Sequence, residues 1–114
     1  MEKLFNIALK IAHHQGIFTY RLTNADPKED YVGRRVKVTI KNRPALGVII
    51  SEQIEQLDPK VVIKDIIELI DDRAIITPEQ LALMKFCASY YFNPLGPVIH
   101  TAVPQNDKIP RHKT

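Results

Sequence analysis

The order of apolar and polar residues predicts two β-strands near the start of the chain. Residues 5–11 place apolar side chains at the odd positions and smaller or polar ones between them, which is the two-residue period of a half-buried strand. Gln15-Gly16 interrupts this pattern, and residues 17–22 form a second run that is rich in β-branched and aromatic side chains. Residues 23–33 contain many turn formers, so we expect a surface loop after the second strand.

The clearest strand pattern lies at residues 35–41, and it predicts one apolar and one basic face. The apolar side carries Val36, Val38 and Ile40, and the other side carries Arg35, Lys37, Thr39 and Lys41. Residues 42–44 connect this strand tightly to residues 46–50, which predicts a hairpin in which Gly47 marks a bulge or a close approach. Residues 61–70 form another apolar run that predicts a fifth strand.

Residues Thr77-Pro78-Glu79-Gln80 predict the start of a helix. Threonine suits the N-cap, proline the first helical position, and glutamine three residues on completes a capping box. The helix should run to about residue 91 and bury an apolar stripe of Leu81, Met84, Cys87, Ala88 and Tyr91. Asn93-Pro94 ends it, and residues 98–103 are compatible with a last strand.

These elements predict a mainly β fold: a small, curved, barrel-like sheet of five or six strands with one C-terminal α-helix at about residues 78–91. A chain of 114 residues is long enough to form one hydrophobic core but too short to include a separate catalytic domain as well. We therefore expect one domain over residues 1–104, followed by a polar, basic linker or tail at residues 105–114.

The composition argues against several classes of function. The only cysteine, Cys87, allows neither a disulfide within the chain nor a cysteine-based zinc site. No phosphate-binding loop, dinucleotide fingerprint or His-Glu-x-x-His motif is present, and no acid–base set can be assembled. We expect no catalytic residues, no metal and no cofactor. No apolar run approaches the ~18 residues of a membrane span, so the expected location is the cytoplasm, at the bacterial nucleoid.

Basic and aromatic residues cluster as in nucleic-acid-binding proteins. Residues 33–43 carry five lysines and arginines and no acid, within a net charge of +3. Aromatic rings group at Phe18-Thr19-Tyr20 and at Tyr90-Tyr91-Phe92; rings can stack on bases while cations bind phosphates. The alternatives are a solvated outer strand face and rings that belong to the core. For the second cluster we expect packing between helix and sheet.

Several short motifs occur in a specific order. They are Phe18-Thr19-Tyr20, Gly33-Arg34-Arg35-Val36-Lys37-Val38, Leu46-Gly47-Val48-Ile49, Lys64 ahead of Ile66-Ile67-Glu68, Tyr90-Tyr91-Phe92-Asn93-Pro94-Leu95-Gly96 and Ala102-Val103-Pro104. Over about the first 104 residues this order resembles the N-terminal domain of the PriA replication-restart helicases. The strongest element is Tyr-Tyr-x-x-Pro-Leu-Gly ahead of Ala-x-Pro.

The resemblance implies a non-catalytic module that captures the 3′ end of the nascent leading strand at stalled or branched replication forks. In that family the ATPase and helicase domains follow downstream in the polypeptide. The DNA-binding residues that it implies, together with basic neighbours, are Phe18, Thr19, Tyr20, Lys41, Asn42, Arg43 and Lys64. Arg35 and Lys37 are expected to form a secondary basic face.

Two positions depart from the family pattern. Thr19 stands where the family usually has aspartate, and a hydroxyl offers neither a second carboxylate oxygen nor a charge. Lys41-Asn42 stands at the hairpin turn, where a glycine would let a nucleotide approach closely. Asn42 can still supply the turn, because asparagine tolerates positive φ.

The expected partner is forked or 3′-ended DNA, bound with little sequence preference. A different class of function stays open: a protein-interaction module that docks on other helicase domains or on a single-strand-binding protein through a sheet edge or the helix. A plain single-strand binder without end capture is a third alternative.

Overall fold

The structure, a computed structural model, describes residues 2–11 and 13–105, and only the backbone of residues 13 and 14. The predicted tail therefore lies, from residue 106 onward, outside the described residues. The described elements are β1 (Lys3–Leu9), a 3-10 helix (His13–Gly16), β2 (Ile17–Leu22), β3 (Arg35–Ile40), β4 (Arg43–Glu52), β5 (Lys64–Asp65), β6 (Glu68–Leu69), α1 (Pro78–Tyr90) and α2 (Leu95–His100). No helix among the described residues is long and apolar enough to span a membrane.

The sheet has the strand order β5-β2-β1-β4-β3-β6 and is curled into a barrel-like shape. Its two outermost strands are consecutive in sequence. Between them, the Ile66 amide donates to the Arg21 carbonyl on one edge and the Ile67 amide donates to the Lys37 carbonyl on the other, both at 2.8 Å. One short segment thus connects both edges of the sheet. The predicted mainly β, barrel-like fold is confirmed, whereas the prediction of a single strand at residues 61–70 is wrong.

Two apolar clusters lie on the two faces of the sheet. The first fills the inside of the curl and includes Phe5, Ile7, Leu9, Tyr20, Val36, Val38 and Ile49. The second lies between the outer face of the sheet and the helices and includes Ala8, Val48, Ile50, Leu81 and Ile99. Successive residues of β1 therefore serve opposite clusters, as strand alternation requires. Leu81 of α1 belongs to this second cluster, but the helix that packs directly on the sheet is α2, against β1, and α1 packs mainly on α2.

The chain enters the hairpin of β3 and β4 from a loop that is anchored to the core. Residues 23–33 contain no strand or helix, which agrees with the predicted loop. Ala25 and Tyr31 are nevertheless buried, and the Tyr31 ring meets the Phe5 ring edge-on at 5.5 Å between centroids. The Tyr31 hydroxyl oxygen also accepts a hydrogen bond from the Asp26 amide at 2.8 Å. A surface loop by composition thus contributes side chains to the first cluster.

Gly47 lies where β4 crosses β1 closely. A Cβ at this position would come within 2.3 Å of the Ile7 Cγ2 atom, so a side chain has no space there. The bulge of this strand pair is elsewhere: Asn6 pairs with Ser51 and Ile7 with Ile49, which leaves Ile50 as the extra residue. Of the two roles predicted for Gly47, the close approach is confirmed.

Helix α1 begins as predicted, but the segment after it differs from the prediction. Thr77 is the N-cap and forms the full capping box with Gln80. Residues 98–103 form no strand; the last three residues of α2 and the turn that follows occupy this segment. Gly96 permits this packing, because a Cβ there would lie 2.0 Å from the Leu9 carbonyl oxygen. The β-branched pair Val98-Ile99 therefore serves a buried helix rather than a strand.

Candidate nucleic-acid interface

A cleft of about 570 Å³ opens between β2, the turn of the β3–β4 hairpin and the segment at residues 57–64. We call it the β2 cleft. Its lining residues are Asn6, Ile17, Phe18, Thr19, Tyr20, Thr39, Ile40, Lys41, Leu57, Val61, Val62, Ile63 and Lys64. Five of the seven DNA-binding residues predicted from the sequence are among them. The volume lies within the range of ordinary small-molecule sites.

The cleft exists because β5 covers only part of the neighbouring strand. β2 pairs with β1 along its whole length, whereas on the other side β5 pairs only with Tyr20 and Arg21. Within the described residues, the first half of β2 thus forms an edge of the sheet. Both faces of a strand can be reached from its edge, which explains how Phe18, Thr19 and Tyr20 line one cleft although their side chains alternate.

Three polar side chains lie side by side across the outer face of the sheet. Asn6 pairs with Thr19 on β2 and with Ser51 on β4. The Thr19 hydroxyl donates to the Asn6 Oδ1 atom at 2.9 Å, and the Asn6 Nδ2 atom donates to the Ser51 Oγ atom at 3.0 Å. Because the proton of Thr19 is directed to Asn6, the lone pairs of its oxygen remain available as acceptors.

The two aromatic rings of β2 differ in their exposure. Tyr20 is 5 % exposed and belongs to the core, and its hydroxyl donates to the Thr39 carbonyl at 3.0 Å. Burial raises the pKa of the Tyr20 phenol above its ordinary value of 10.0. Phe18 is partly buried and packs against the same cluster. The core alternative is therefore confirmed for Tyr20, and Phe18 is left as the ring that a base in the cleft could contact.

The hairpin turn places one of its two residues in the cleft. Ile40 pairs with Arg43, so Lys41 and Asn42 form a two-residue turn, with φ values of 50° and 63°. Positive φ at both positions is the type I′ geometry that suits a twisted hairpin, and Asn42 supplies it as the sequence suggested. Lys41 lines the cleft, whereas Asn42 and Arg43 are exposed at the turn and are not among the lining residues.

The basic segment at residues 33–43 is largely matched by acids from other parts of the chain. Arg34 pairs with Glu29, and the Lys37 Nζ atom lies 3.9 Å from Glu68 Oε1. Arg35 is wholly buried. Its Nε and Nη2 atoms donate to Asp71 at 2.9 and 2.8 Å, its backbone amide donates to the same carboxylate at 3.0 Å, and its Nη1 atom donates to the Pro104 carbonyl at 3.2 Å.

This arrangement corrects the expected secondary basic face. Arg35 does project from the opposite side of β3 to Val36, as alternation requires, but residues 71 and 104 cover it. Lys37 is partly exposed beside a carboxylate. Lys41 and Lys64, in contrast, have no carboxylate partner within salt-bridge distance in the part of the chain that the structure describes. The cationic side chains offered to the β2 cleft are therefore these two.

Sequence reasoning missed the apolar wall of the cleft. Leu57, Val61, Val62 and Ile63 line it, and Val62 is 83 % exposed. The sequence pattern placed these valines in a fifth strand, but no strand begins before Lys64 in this segment. The available signal was Pro59, two residues before the first of these valines, since proline within a sheet is confined to edge strands, strand starts and bulges. The contribution of Asn6 to the cleft was also missed, because it depends on the pairing of β1 with β2 and β4, which the sequence alone does not show.

The second aromatic cluster is on the surface, contrary to the expectation of core packing. Tyr90 and Tyr91 are each 65 % exposed and Phe92 is 93 % exposed. Tyr91 therefore does not belong to the buried stripe of α1, in which Leu81 and Ala88 are buried. Phe86 is 64 % exposed and stacks on Tyr90 at 5.8 Å between ring centroids.

Comparisons with known proteins agree on one family. Residues 6–104 match the family described as the 3′DNA-binding domain (3′BD) of PriA. The replication restart protein PriA of Treponema pallidum (strain Nichols) is 32 % identical over 114 aligned positions, which cover 95 % of this chain. The alignment spans 16 % of that relative's length.

Proposed function

Since the chain belongs to the family of PriA 3′DNA-binding domains, we propose that it captures the free 3′ end of the nascent leading strand at stalled or branched replication forks and holds it in the β2 cleft. The observation that carries this proposal is the convergence of Phe18, Thr19, Tyr20, Lys41 and Lys64 on one cleft from three separate segments. The matched family is a DNA-binding domain, and these 114 residues are a non-catalytic module.

Thr19 is the group that would recognise the terminal hydroxyl. A 3′-hydroxyl can donate one hydrogen bond, and a strand that continues or ends in phosphate has no such donor at that atom. Thr19 donates its own proton to Asn6 and so presents an acceptor, which is the role an aspartate would play by its charge. The Asn6 amide, held in turn by Ser51, fixes this orientation. A hydroxyl in place of carboxylate can thus preserve end recognition.

The remaining contacts explain why little sequence preference is expected. The terminal base would lie between Phe18 and the apolar wall at Val61 and Val62, and stacking or apolar contact suits any base. Lys41 and Lys64 would bind phosphates, which carry no sequence information. Recognition would therefore read the chemistry of the strand end rather than its bases.

The test compares matched forked DNAs whose leading-strand arm ends in a 3′-hydroxyl, a 3′-hydrogen or a 3′-phosphate, by fluorescence anisotropy. We expect the hydroxyl end to bind most tightly. Thr19→Val keeps the shape and removes the acceptor, so it should abolish the difference between hydroxyl and hydrogen ends while residual binding persists. Equal affinity of the wild-type domain for all three ends would contradict end capture and leave a general DNA binder.

A second candidate function is supported by the outer face of α1. Leu83, Phe86 and Tyr90 are spaced along one side of the helix and are 62 %, 64 % and 65 % exposed. Grouped apolar side chains on a surface often mark protein contacts. The partners to consider are the other domains of a PriA-type polypeptide and a single-strand-binding protein.

Docking and DNA capture can be distinguished by comparing a double substitution on α1 with the single substitution Thr19→Val. Phe86→Ser with Tyr90→Ser should weaken association of the domain with the separately produced remainder of a PriA protein, measured by sedimentation, and the wild-type association should be insensitive to salt. Thr19→Val should not affect it. Failure of the wild-type domain to associate with either partner would remove the docking function and leave the DNA proposal untouched.

A further inference from the structure

A second cleft of about 410 Å³ lies beside the C-terminal end of α1. We call it the α1 cleft; it is lined by Gln15, Lys85, Ala88, Ser89, Phe92, Asn93 and Leu95. Among the described residues that line it, the charged one is a lysine and none carries a carboxylate. Amide and hydroxyl groups of Gln15, Ser89 and Asn93 line the same cleft. Such a set of groups can bind an anion and hydrogen-bond to neutral polar edges.

Phe92 is held at this cleft by an unusual backbone conformation. Its φ is 57°, which is rare for a bulky side chain. The Phe92 amide donates to the Ser89 carbonyl at 3.3 Å and the Asn93 amide donates to the Ala88 carbonyl at 2.9 Å, which ends the helix at a position where glycine is usual. Glycine would adopt this conformation with less strain than phenylalanine does. Because the Phe92 ring is also 93 % exposed and so adds little to the core, its presence here suggests a role in binding.

The α1 cleft adjoins the β2 cleft along the chain. Gln15 lines the first and Ile17 lines the second, so these two lining residues are separated only by Gly16. Two residues of extended chain place their Cα atoms at most about 7 Å apart. The Gln15 side chain is fixed there, since its Oε1 atom accepts a hydrogen bond from the Leu95 amide at 3.1 Å. The two clefts thus approach each other at residues 15–17, so that a strand that ends in the β2 cleft can reach the α1 cleft.

We propose that the α1 cleft is a second nucleotide subsite, which holds single-stranded DNA upstream of the captured end. A base stacks on Phe92, the phosphodiester lies near Lys85, and Ser89 and Asn93 provide hydrogen bonds. A ring beside a cation with no carboxylate suits a nucleotide better than an acidic or apolar peptide. Leu83, Phe86 and Tyr90, on the outer face of α1, do not line this cleft. This inference rests on the proposed capture of a 3′ end.

The experiment measures the affinity of the whole domain for 3′-hydroxyl oligothymidines of two to ten nucleotides and for the same dinucleotide with a 3′-phosphate. The wild-type affinity should rise with length beyond the dinucleotide. Phe92→Gly removes the ring and suits the positive φ, so it should fold normally, bind the dinucleotide like wild type and bind the decamer about five- to a hundredfold more weakly. Lys85→Gln should also weaken binding of the decamer alone. Phe86→Ala, which removes an exposed ring outside the cleft, is the matched control and should change neither.

The outcomes separate the two proposals. If Phe92→Gly binds every length like wild type, or if Phe86→Ala weakens the decamer equally, the second subsite is wrong even when the preference for a 3′-hydroxyl stands. If the dinucleotide shows no preference for a 3′-hydroxyl over a 3′-phosphate, end capture itself fails. Absence of binding at any length would overturn both.

Discussion

At the scale of single residues, Arg35 shows what strand alternation can and cannot predict. The pattern of β3 correctly places its side chain opposite the apolar side chains that fill the sheet. Alternation does not reveal whether another segment covers that side, and here Asp71 and the Pro104 carbonyl do so. A basic residue in a basic run was therefore interpreted as a DNA contact although it is an internal structural cation.

We predict that Asp71→Ala destabilises the domain by about 3 to 5 kcal/mol, because it leaves the buried Arg35 guanidinium without its carboxylate. The neighbouring Asp72→Ala is the control. Asp72 is 69 % exposed and should change the free energy of unfolding by no more than about 0.5 kcal/mol. Urea denaturation monitored by circular dichroism measures both. A change below about 1 kcal/mol for Asp71→Ala would contradict the structural role of the pair.

A second prediction concerns Tyr20, whose hydroxyl donates to the Thr39 carbonyl. Tyr20→Phe should lower the free energy of unfolding by about 1 kcal/mol at neutral pH, the usual worth of one hydrogen bond. Burial raises the pKa of Tyr20 in the folded state, so the unfolded chain ionises first as the pH passes about 10. The stability from the neutral phenol is therefore complete below that pH and is lost as the pH rises toward the folded-state pKa.

The measurement is urea unfolding at neutral pH and at several values above pH 10. Tyr20→Phe should lose less stability over the alkaline range than wild type does. Tyr91→Phe changes a tyrosine that is 65 % exposed and should reproduce the wild-type slope. Parallel alkaline slopes for wild type and Tyr20→Phe would contradict the assigned burial of the phenol.

At the scale of elements, local patterns predicted β1, β2, the hairpin and the start of α1, because each depends on neighbours in sequence. The hairpin turn and the capping box are cases of this kind. The prediction for residues 61–70 was wrong because their apolar side chains lie in three different surroundings. Val61 and Val62 line the β2 cleft, Ile66 packs in the first apolar cluster, and Ile67 is 54 % exposed. The sequence of an apolar run does not show whether its side chains all pack in one core or in several different places.

Gly96 provides the third prediction, at the contact between α2 and the end of β1. A Cβ there would lie 2.0 Å from the Leu9 carbonyl oxygen and 3.0 Å from the Gly16 Cα atom, so backbone must move to admit it. Gly96→Ala should cost about 1 to 3 kcal/mol or more through overpacking, although alanine favours helices. Ala82→Ser, at an exposed position of α1, is the control for a one-atom addition. An unchanged thermal midpoint for Gly96→Ala would contradict this close approach.

At the scale of the whole molecule, the candidate site is a meeting of distant segments. The resemblance named Phe18, Lys41 and Lys64, and the structure brings them to one cleft, but their DNA contacts stay a prediction. The apolar wall and the link from Asn6 to Thr19 could not be read from the sequence. The wall depends on how little of β2 is covered by β5, and the link depends on the register between β1 and β2. The net charge of +3 likewise did not show that most of the basic segment is paired internally.

That internal pairing sets the expected dependence of DNA binding on salt. If Lys41 and Lys64 neutralise two phosphates of a single strand, a plot of the logarithm of the binding constant against the logarithm of salt concentration should have a slope of about −1.4. Longer DNAs that reach Lys85 should give a steeper slope. Lys64→Gln should make the slope shallower by about 0.7 and weaken binding to all sequences alike, because a phosphate contact does not read bases. Lys28→Gln, in the exposed part of the 23–33 loop, should leave the slope unchanged. A slope that Lys28→Gln reduces as much as Lys64→Gln does would mean that the net charge of the domain, rather than the β2 cleft, attracts the DNA.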